Sequence, residues 1–497
     1  MKKNRYTCSP SSSPLRDRKL FASRAYRFLE KTREHILQGL SPGGIYQDVW
    51  FRDASYILKD WFLSGNVDGT MQQIYHIWSH QIIPGGAEKL VYGRGSPEMK
   101  FKSKELSTST RSKFEGALPT TTYQAGFSEI YGQNPDIDST SLMISTTSWI
   151  LARFLNYKEN KRQKTQEGPL YEGFSILQPS SIIASEHAPN HVSTHLLSKA
   201  DITDPFKGAE FAVPHMLKAI EYLKRRDVDN DGLLEQNYNE DWMDTALRTG
   251  KIVYSQACWI LALKDFSSLL ATFGMDKEAI KLIQLADRTA CGVEKKLWSK
   301  EDSCYIDLQE PGRRERQPYR LLTQDVSLYL IAISQNTSND SLRIHHQYHY
   351  NKEQSQGSKI MHEHLHNRAI RTLDTMRKRT WKEKWPLSTE TELKRTGPWI
   401  LKPYQYHNHA FWPWTTGIEM LARSRFNKIQ ECDILLSRLS SDDGDPHPQT
   451  FYEWINPITG EGAGAYPFRT GISAIRLALA DVVEKVKMYT DQRPTLR

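Results

Sequence analysis

The chain has 497 residues, 38% of them hydrophobic, with 13 tryptophans and 23 tyrosines. That length holds one large helical barrel or a few ordinary domains, and the aromatic excess suits a packed helical core or a cleft whose rings stack on sugars. The formal charge of +8 comes from 66 basic and 58 acidic residues spread along the chain, a pattern that argues against the clustered footprint of a nucleic-acid partner.

Residues 1–17 are polar, carry Lys2, Lys3, Arg5 and a Ser/Pro run, and lack the apolar stretch of a secretory signal, so they read as a disordered tail. From Leu20 onward apolar residues recur at spacings of three and four, as in Ala22, Ala25, Phe28 and Leu29, then Ile36 and Leu37. The same helical period returns at about 54–63, 70–80, 139–157, 209–225, 253–273, 277–297, 324–333, 366–376, 410–422, 429–439 and 468–486. About twelve helices are expected, with almost no strand pattern. No run of about 18 apolar residues occurs, so no spanning helix or membrane partner is expected and a cytoplasmic location fits. The cysteines Cys8, Cys258, Cys291, Cys304 and Cys432 are odd in number and lack C-x-x-C spacing, which fits a reducing interior better than a disulfide framework or zinc site.

Three long segments between helices, at about 84–118, 157–205 and 336–357, read as lids or insertions. His345, His346, His349, His362, His364 and His366 lie in or near the last. They lack the helical His-Glu-x-x-His pattern and read as a solvated polar insertion. The run from Asp227 through Asp229 and Asp231 to Gly232 opens like a calcium loop, but Tyr238 stands where the bidentate Glu belongs, so a turn between helices is expected. Gly460, Gly462 and Gly464 follow no strand and precede no Lys-Ser/Thr, which makes a poor phosphate cradle. No metal and no cofactor is expected.

Four segments have a composition that core packing does not explain. In 42–53 a glycine pair leads through Trp50 to Arg52 and Asp53, which can clamp sugar hydroxyls or form an ion pair at a helix start. In 240–244, Glu240, Asp241 and Asp244 flank Trp242 and Met243. Crowding of three acids is expected to raise at least one pKa, as a general acid requires. In 405–414, Trp412 and Trp414 offer a stacking wall, with His407 and Asn408 as a hydroxyl-reading edge, or else they pack a helix start. In 451–457, Glu453 stands between Tyr452 and Trp454, an uncommon place for a merely solvated charge. Two carboxylates facing one another, one protonated and one ionised, are what cleavage of a glycosidic bond needs.

In order along the chain, Trp-Phe-Arg-Asp, Asp-Trp-Met-Asp, Tyr-His-Asn with Trp-Pro-Trp, and Tyr-Glu-Trp-Ile-Asn-Pro-Ile-Thr-Gly resemble the six-hairpin glycosidases. That group includes the glucosidase domain of glycogen debranching enzymes, the trehalases, the neutral invertases and the glucosidases of glucosyl- and mannosylglycerate. The resemblance spans most of Leu20 to Val486. It implies an all-α fold, an (α/α)6 toroid of two concentric helix rings with long functional loops at one end, formed as a single catalytic domain over 18–490. It also implies that Asp244 is the general acid and Glu453 the general base. Trp50, Arg52, Asp53, Asp241, Trp242, His407, Asn408, Trp412 and Trp414 then line the substrate site.

Phe-Arg-Asp stands where trehalases carry Trp-Asp-Ser, and His407-Asn408-His409 stands where invertases show His-Asn-Gly. The resemblance leans toward the debranching glucosidases. The expected activity is an inverting, exo-acting hydrolase of α-linked glucosides, on an oligosaccharide or a small glucoside. Inversion calls for carboxyl groups roughly 6.5–9.5 Å apart, against about 5–5.5 Å for retention. Trehalase, invertase and glucosylglycerate or mannosylglycerate hydrolase are the alternatives within the group. A phosphorylase, which needs no base, and a non-catalytic carbohydrate-binding protein are the alternatives from other classes. The sequence leaves the oligomeric state open.

Overall fold

A computed structural model describes residues 14–93, 105–164, 204–310, 319–334, 357–383, 385–394, 396 and 401–491. Its helices, in chain order, are α1 (Pro14–Leu37), α2 (Phe51–Leu63), α3 (Val67–Ser79), α4 (Thr108–Lys113), α5 (Ile137–Lys164), α6 (Pro205–Lys224) and α7 (Val253–Thr272). They continue with α8 (Asp276–Lys296), α9 (Ser327–Ser334), α10 (Gly357–Arg379), α11 (Pro413–Arg425), α12 (Ile429–Leu439) and α13 (Arg469–Asp491). Helices α2, α5, α7, α9, α11 and α13 pack each against the next, and α13 returns to α2, closing a ring. Helices α1, α3, α6, α8, α10 and α12 lie outside it, so the chain forms an (α/α)6 toroid.

Sequence decides which helix goes where. Helix α7 is apolar on nearly every side, with Val253, Tyr254, Ala257, Trp259, Leu261, Phe266 and Leu270 all buried, and such a helix has to sit between others. Helix α8 buries Ala279, Leu282, Ile283, Ala286 and Val293 along one stripe and leaves the rest to solvent, as an outer helix does. Because outer and inner helices alternate among the described residues, the short α4 apart, the six inner helices run the same way. Their first turns therefore lie at one end of the ring.

The short strands gather on the loops. A four-stranded sheet has the order Val49–Trp50, Thr121–Tyr123, Phe127–Ile130, Lys89–Tyr92, with only the last pair parallel. Hairpins join Trp454–Ile455 to Gly462–Ala463 and Trp381–Lys382 to Trp385–Pro386. Strands of two to four residues carry too little alternation to register against a helical background. The insertion expected at 84–118 is thus ordered where described: it supplies the Lys89–Tyr92 strand and α4. The tail expected to end at residue 17 is helical from Pro14. The insertion expected at 157–205 begins inside α5, and most of it lies outside the described residues, as does most of 336–357 with His345, His346 and His349. In the calcium-like run Lys251 Nζ lies 2.7 Å from Asp229, 2.8 Å from Asp231 and 2.7 Å from Glu235, and Lys296 also binds Asp231. No helix among the described residues is long and apolar enough to cross a membrane.

Arg476 of α13 ties three helices together. Its guanidinium donates to Asp60 Oδ2 of α2 at 2.7 Å, to Ser64 Oγ at 3.0 Å and to Thr32 Oγ1 of α1 at 2.9 Å, with Asp60 only 3% exposed. Arg476→Leu strands a buried carboxylate and is expected to cost about 3–5 kcal/mol, whereas Arg476→Leu with Asp60→Leu recovers most of it. Urea unfolding midpoints of the two variants check this; equal losses contradict it.

Candidate active site

Each segment singled out in the sequence sits at the first turn of an inner helix or just before it. Trp50 precedes α2, and Arg52 and Asp53 lie in its first turn. Asp241, Trp242 and Asp244 lie on the loop leading to α7, His407 and Trp412 on the loop leading to α11, and Glu453 on the hairpin leading to α13.

Two close approaches bring the outermost of these loops together. Gly43 has φ +98°, and a Cβ there would stand 2.1 Å from the carbonyl oxygen of Pro467. Only glycine lets the loop carrying Tyr46 lie against the loop before α13. Gly464 has φ +79°, and its Cβ would meet Glu453 Oε2 at 2.3 Å. With glycine there the strand folds over Glu453, and Ala465 N–H donates to Glu453 Oε2 at 2.9 Å. From the other side Tyr46 Oη donates to Glu453 Oε1 at 3.0 Å and lies 3.4 Å from Tyr406 Oη. Glu453 is 3% exposed, and burial lifts its pKa to about 7 even though both donors pull it down; Asp53 and Asp244 add to the rise.

Asp244 stands on a loop held from below. Arg248 Nε donates to Asp241 Oδ2 at 2.7 Å, and its other nitrogens reach Asp325 at 2.9 Å and Asp307 at 3.3 Å. Trp242 Nε1 donates to Asp325 Oδ2 at 2.6 Å, and Met243 N to Asp241 Oδ1 at 2.9 Å. Glu240 pairs with Arg226 and accepts from Asn134. The three acids therefore do not simply crowd one another, because Glu240 pairs with Arg226 and Asp241 shares Arg248 with Asp307 and Asp325. Burial is the first cause that lifts Asp244 to about 6; Arg52 opposes it and Asp241 assists. Its side chain keeps 31% exposure toward the cleft, and Oδ1 has no hydrogen-bond partner among the described residues.

His407 Nδ1 lies 2.8 Å from Thr245 Oγ1 and 3.6 Å from Asp244 Oδ1. Burial, then Arg52 and Arg248, push its pKa well below the ordinary value, so the ring is neutral and exerts no ionic hold on Asp244. Arg52 lies 3.3 Å from Asp53 and 3.7 Å from Asp138; burial opposes its charge, and these carboxylates more than offset that. Asp53 also accepts from Thr470 of α13 at 2.6 Å. The alternative of an ion pair at a helix start is therefore present in the fold, alongside any clamping of substrate.

Of the two readings of Trp412 and Trp414, packing at the helix start is present in the fold. Trp412 and Trp414 are each 2% exposed and pack edge-on against Trp242, with centroids 5.3 and 4.8 Å away. His407 stacks on Trp412 at 4.9 Å. Asn408 is also buried and pins its loop through Leu393 N at 2.8 Å and Leu401 O at 3.0 Å. Asp241, Trp242, Asn408, Trp412 and Trp414 are thus almost wholly buried, as Asp53 and Glu453 are. The partly exposed rings of the cleft are Trp50, Tyr46 and Tyr131, with centroids 5.6 Å apart for Tyr46 and Trp50 and 5.1 Å for Trp50 and Tyr131, together with Tyr406. Tyr46 and Tyr406 stood in the quoted segments without being picked out, since nothing in spacing shows which tyrosine reaches a carboxylate. Tyr131, Asp138 and Arg248 lay outside all four. A groove of about 410 Å³ between α6 and α8, lined by Leu217, Ile220 and Leu282, shares no residue with this cluster.

No family model matches the chain, and no curated protein matches it. Solved structures do. A GH63 mannosylglycerate hydrolase from Thermus thermophilus in complex with glucose is similar with a TM-score of 0.52 at 13% identity, covering 91% of this chain and 99% of that one. An uncharacterized conserved protein from the same organism has a TM-score of 0.52 at 13% identity, covering 92% and 98%. A glycosidase in complex with glucose has a TM-score of 0.50 at 10% identity, covering 95% and 99%. At such identities the likeness establishes the fold, a toroid this chain shares over nearly its whole length with proteins described as glycosidases.

Proposed function

We propose that the chain is an inverting, exo-acting glycoside hydrolase of α-linked glucosides, with Asp244 as general acid and Glu453 as general base. One observation carries this reading. Two carboxylates from loops some two hundred residues apart, on a fold shared with glycosidases, share a cleft and hold their protons tightly while their hydrogen bonds differ. Glu453 receives Ala465 N–H and Tyr46 Oη, donors that favour its ionised form; Asp244 receives the backbone N–H groups of Thr245 and of its own residue, its buried Oδ1 has no partner among the described residues, and its side chain as a whole is 31% exposed. Burial lifts Asp244 to about 6 and Glu453 to about 7, an order that taken alone favours Glu453 as the acid; the roles assigned here follow the order of the four segments along the chain and the greater exposure of Asp244.

In this mechanism Asp244 gives its proton to the glycosidic oxygen while Glu453 takes one from a water on the opposite face of the sugar ring. Neutral His407 leaves Asp244 free to hold its proton. Arg52 and Asp53 bind hydroxyls of the terminal sugar, and Trp50 covers a ring face. A phosphorylase would bring its own nucleophile and leave the donors on Glu453 without a purpose. The α-1,6-linked glucose of a limit dextrin is the first substrate this reading expects. Glucosyl- or mannosylglycerate is the second, because the mannosylglycerate hydrolase matches over 99% of its length, in complexes with glucose or with D-glycerate.

Sugar release from glycogen limit dextrin, panose, trehalose, sucrose, glucosylglycerate and mannosylglycerate, in phosphate-free buffer, tests the activity. Release is expected from one of them, and Asp244→Asn and Glu453→Gln are each expected to lower turnover by at least ~10²-fold. Either variant retaining most of its activity contradicts its assignment. Plots of kcat/KM against pH are expected to be bell-shaped with a maximum between about 6 and about 7, falling on the acid side as the base is protonated and on the alkaline side as the acid ionises. Stability changes in the same range. Glu453 binds its proton more tightly in the folded state than at its ordinary value of 4.5, so the fold loses stability as pH rises through about 7. Glu453→Gln is therefore expected to melt higher than the native chain at pH 8, with the difference vanishing below the ordinary value; equal melting at pH 8 contradicts a buried, uncompensated charge.

A further inference from the structure

An inverting hydrolase ends each turnover with its protons misplaced: the base holds one and the acid has lost one. Glu453 is only 3% exposed, so its proton leaves either by the position of the attacking water or through its hydrogen-bond partners, whereas the Asp244 side chain is 31% exposed. Between them stand two phenols. Tyr46 Oη lies 3.0 Å from Glu453 Oε1 and 3.4 Å from Tyr406 Oη. Tyr406 is held in place at some cost. Its φ of 49° lies in the left-handed region, as do those of Tyr404 and His409, and its ring lies 4.1 Å from that of His407 and 5.2 Å from that of Trp412. Both hydroxyls keep their protons, through burial first and then the neighbouring carboxylates. They therefore pass a proton along without becoming phenolate at rest.

We infer that Tyr46 and Tyr406 form a proton relay that resets the two carboxylates after each turnover. This rests on the hydrolase reading above. The protonated Glu453 gives its proton to Tyr46 Oη, and Tyr46 passes its own to Tyr406 Oη. Tyr406 passes its proton, through a solvent water in the cleft, to the Asp244 carboxylate, whose side chain is 31% exposed. One proton moves from Glu453 to Asp244, and both tyrosines end as neutral phenols. They are positioning residues that act through the carboxylates and leave the bond-breaking step to them.

Tyr46→Phe and Tyr406→Phe keep the rings and remove one hydroxyl each. With the native substrate found in the panel above, Tyr406→Phe is expected to lower steady-state kcat by roughly 10²-fold, the lower end of what a positioned proton transfer contributes. The first turnover, followed by rapid quench, slows far less, so a burst approaching one equivalent of product per enzyme appears where the native chain gives none. Added imidazole or formate, small carriers that shuttle the proton, is expected to restore kcat in proportion to concentration. Unchanged kcat overturns the relay. So does a first turnover slowed as much as the steady state, since a hydroxyl that only orients Glu453 behaves that way, or a lack of buffer rescue. Failure of the native chain to release sugar from any substrate overturns the hydrolase reading itself, and the relay with it.

Discussion

Charge is buried at one end of the helical ring in a quantity the rest of the molecule has to accommodate. Arg52 and Arg248 are surrounded there by Asp53, Asp138, Asp241, Asp307 and Asp325, so acids outnumber the cations beside them. The six inner helices start at that end, and their unsatisfied N–H groups supply the positive potential that makes the excess tolerable. Asp307, for example, accepts Val253 N at the start of α7 at 2.9 Å. The same contacts staple the ring. Thr470 binds Asp53 across α13 and α2, Tyr254 binds Asp138 across α7 and α5 at 3.2 Å, and Gln324 reaches Glu419 of α11 at 2.8 Å. Two further carboxylates placed above such a network hold protons more tightly than they would in water, which is the property a glycosidase draws upon.

Rigidity around the cleft comes from its buried aromatics. Trp242, Trp412, Trp414 and His407 make one interlocked cluster beneath the loops, and Trp412 Nε1 reaches out of it to hold Tyr406 O at 2.8 Å. Left-handed backbone at Tyr404, Tyr406 and His409 persists because that cluster over-determines it. Loops seated this firmly can hold carboxylates and tyrosines in fixed relation, as positioned proton transfer requires.

Much of this was legible in the sequence, for physical reasons that differ by element. The amphipathic and all-apolar windows marked all twelve helices of the two rings, and the window at 429–439 matches α12 to the residue, because a helix that packs into a ring must keep its period. The two-residue strands and α4 escaped, since elements so short have no period. Glu453 stood out because it lies between Tyr452 and Trp454; that Gly464 lets the chain fold over it emerged only from the fold. Asp244 stood out by neighbouring acids, although burial and the Arg248 network, which no local pattern reveals, set its properties. Trp412 and Trp414 were legible as unusual, with a stacking wall and packing at a helix start both open. Composition marks that aromatic residues matter and is silent on which way they face, and the partly exposed Tyr46, Trp50, Tyr131 and Tyr406 became apparent only once the loops were folded together.

The assignment of Asp244 and Glu453 to opposite faces of the sugar is tested most directly by the stereochemistry of the first product. Proton NMR of the sugar freed from the best α-linked substrate, recorded before mutarotation, is predicted to show the β anomer appearing first. First appearance of the α anomer would mean that a covalent glycosyl-enzyme forms and that Glu453 does not act as a base on water, contradicting the account.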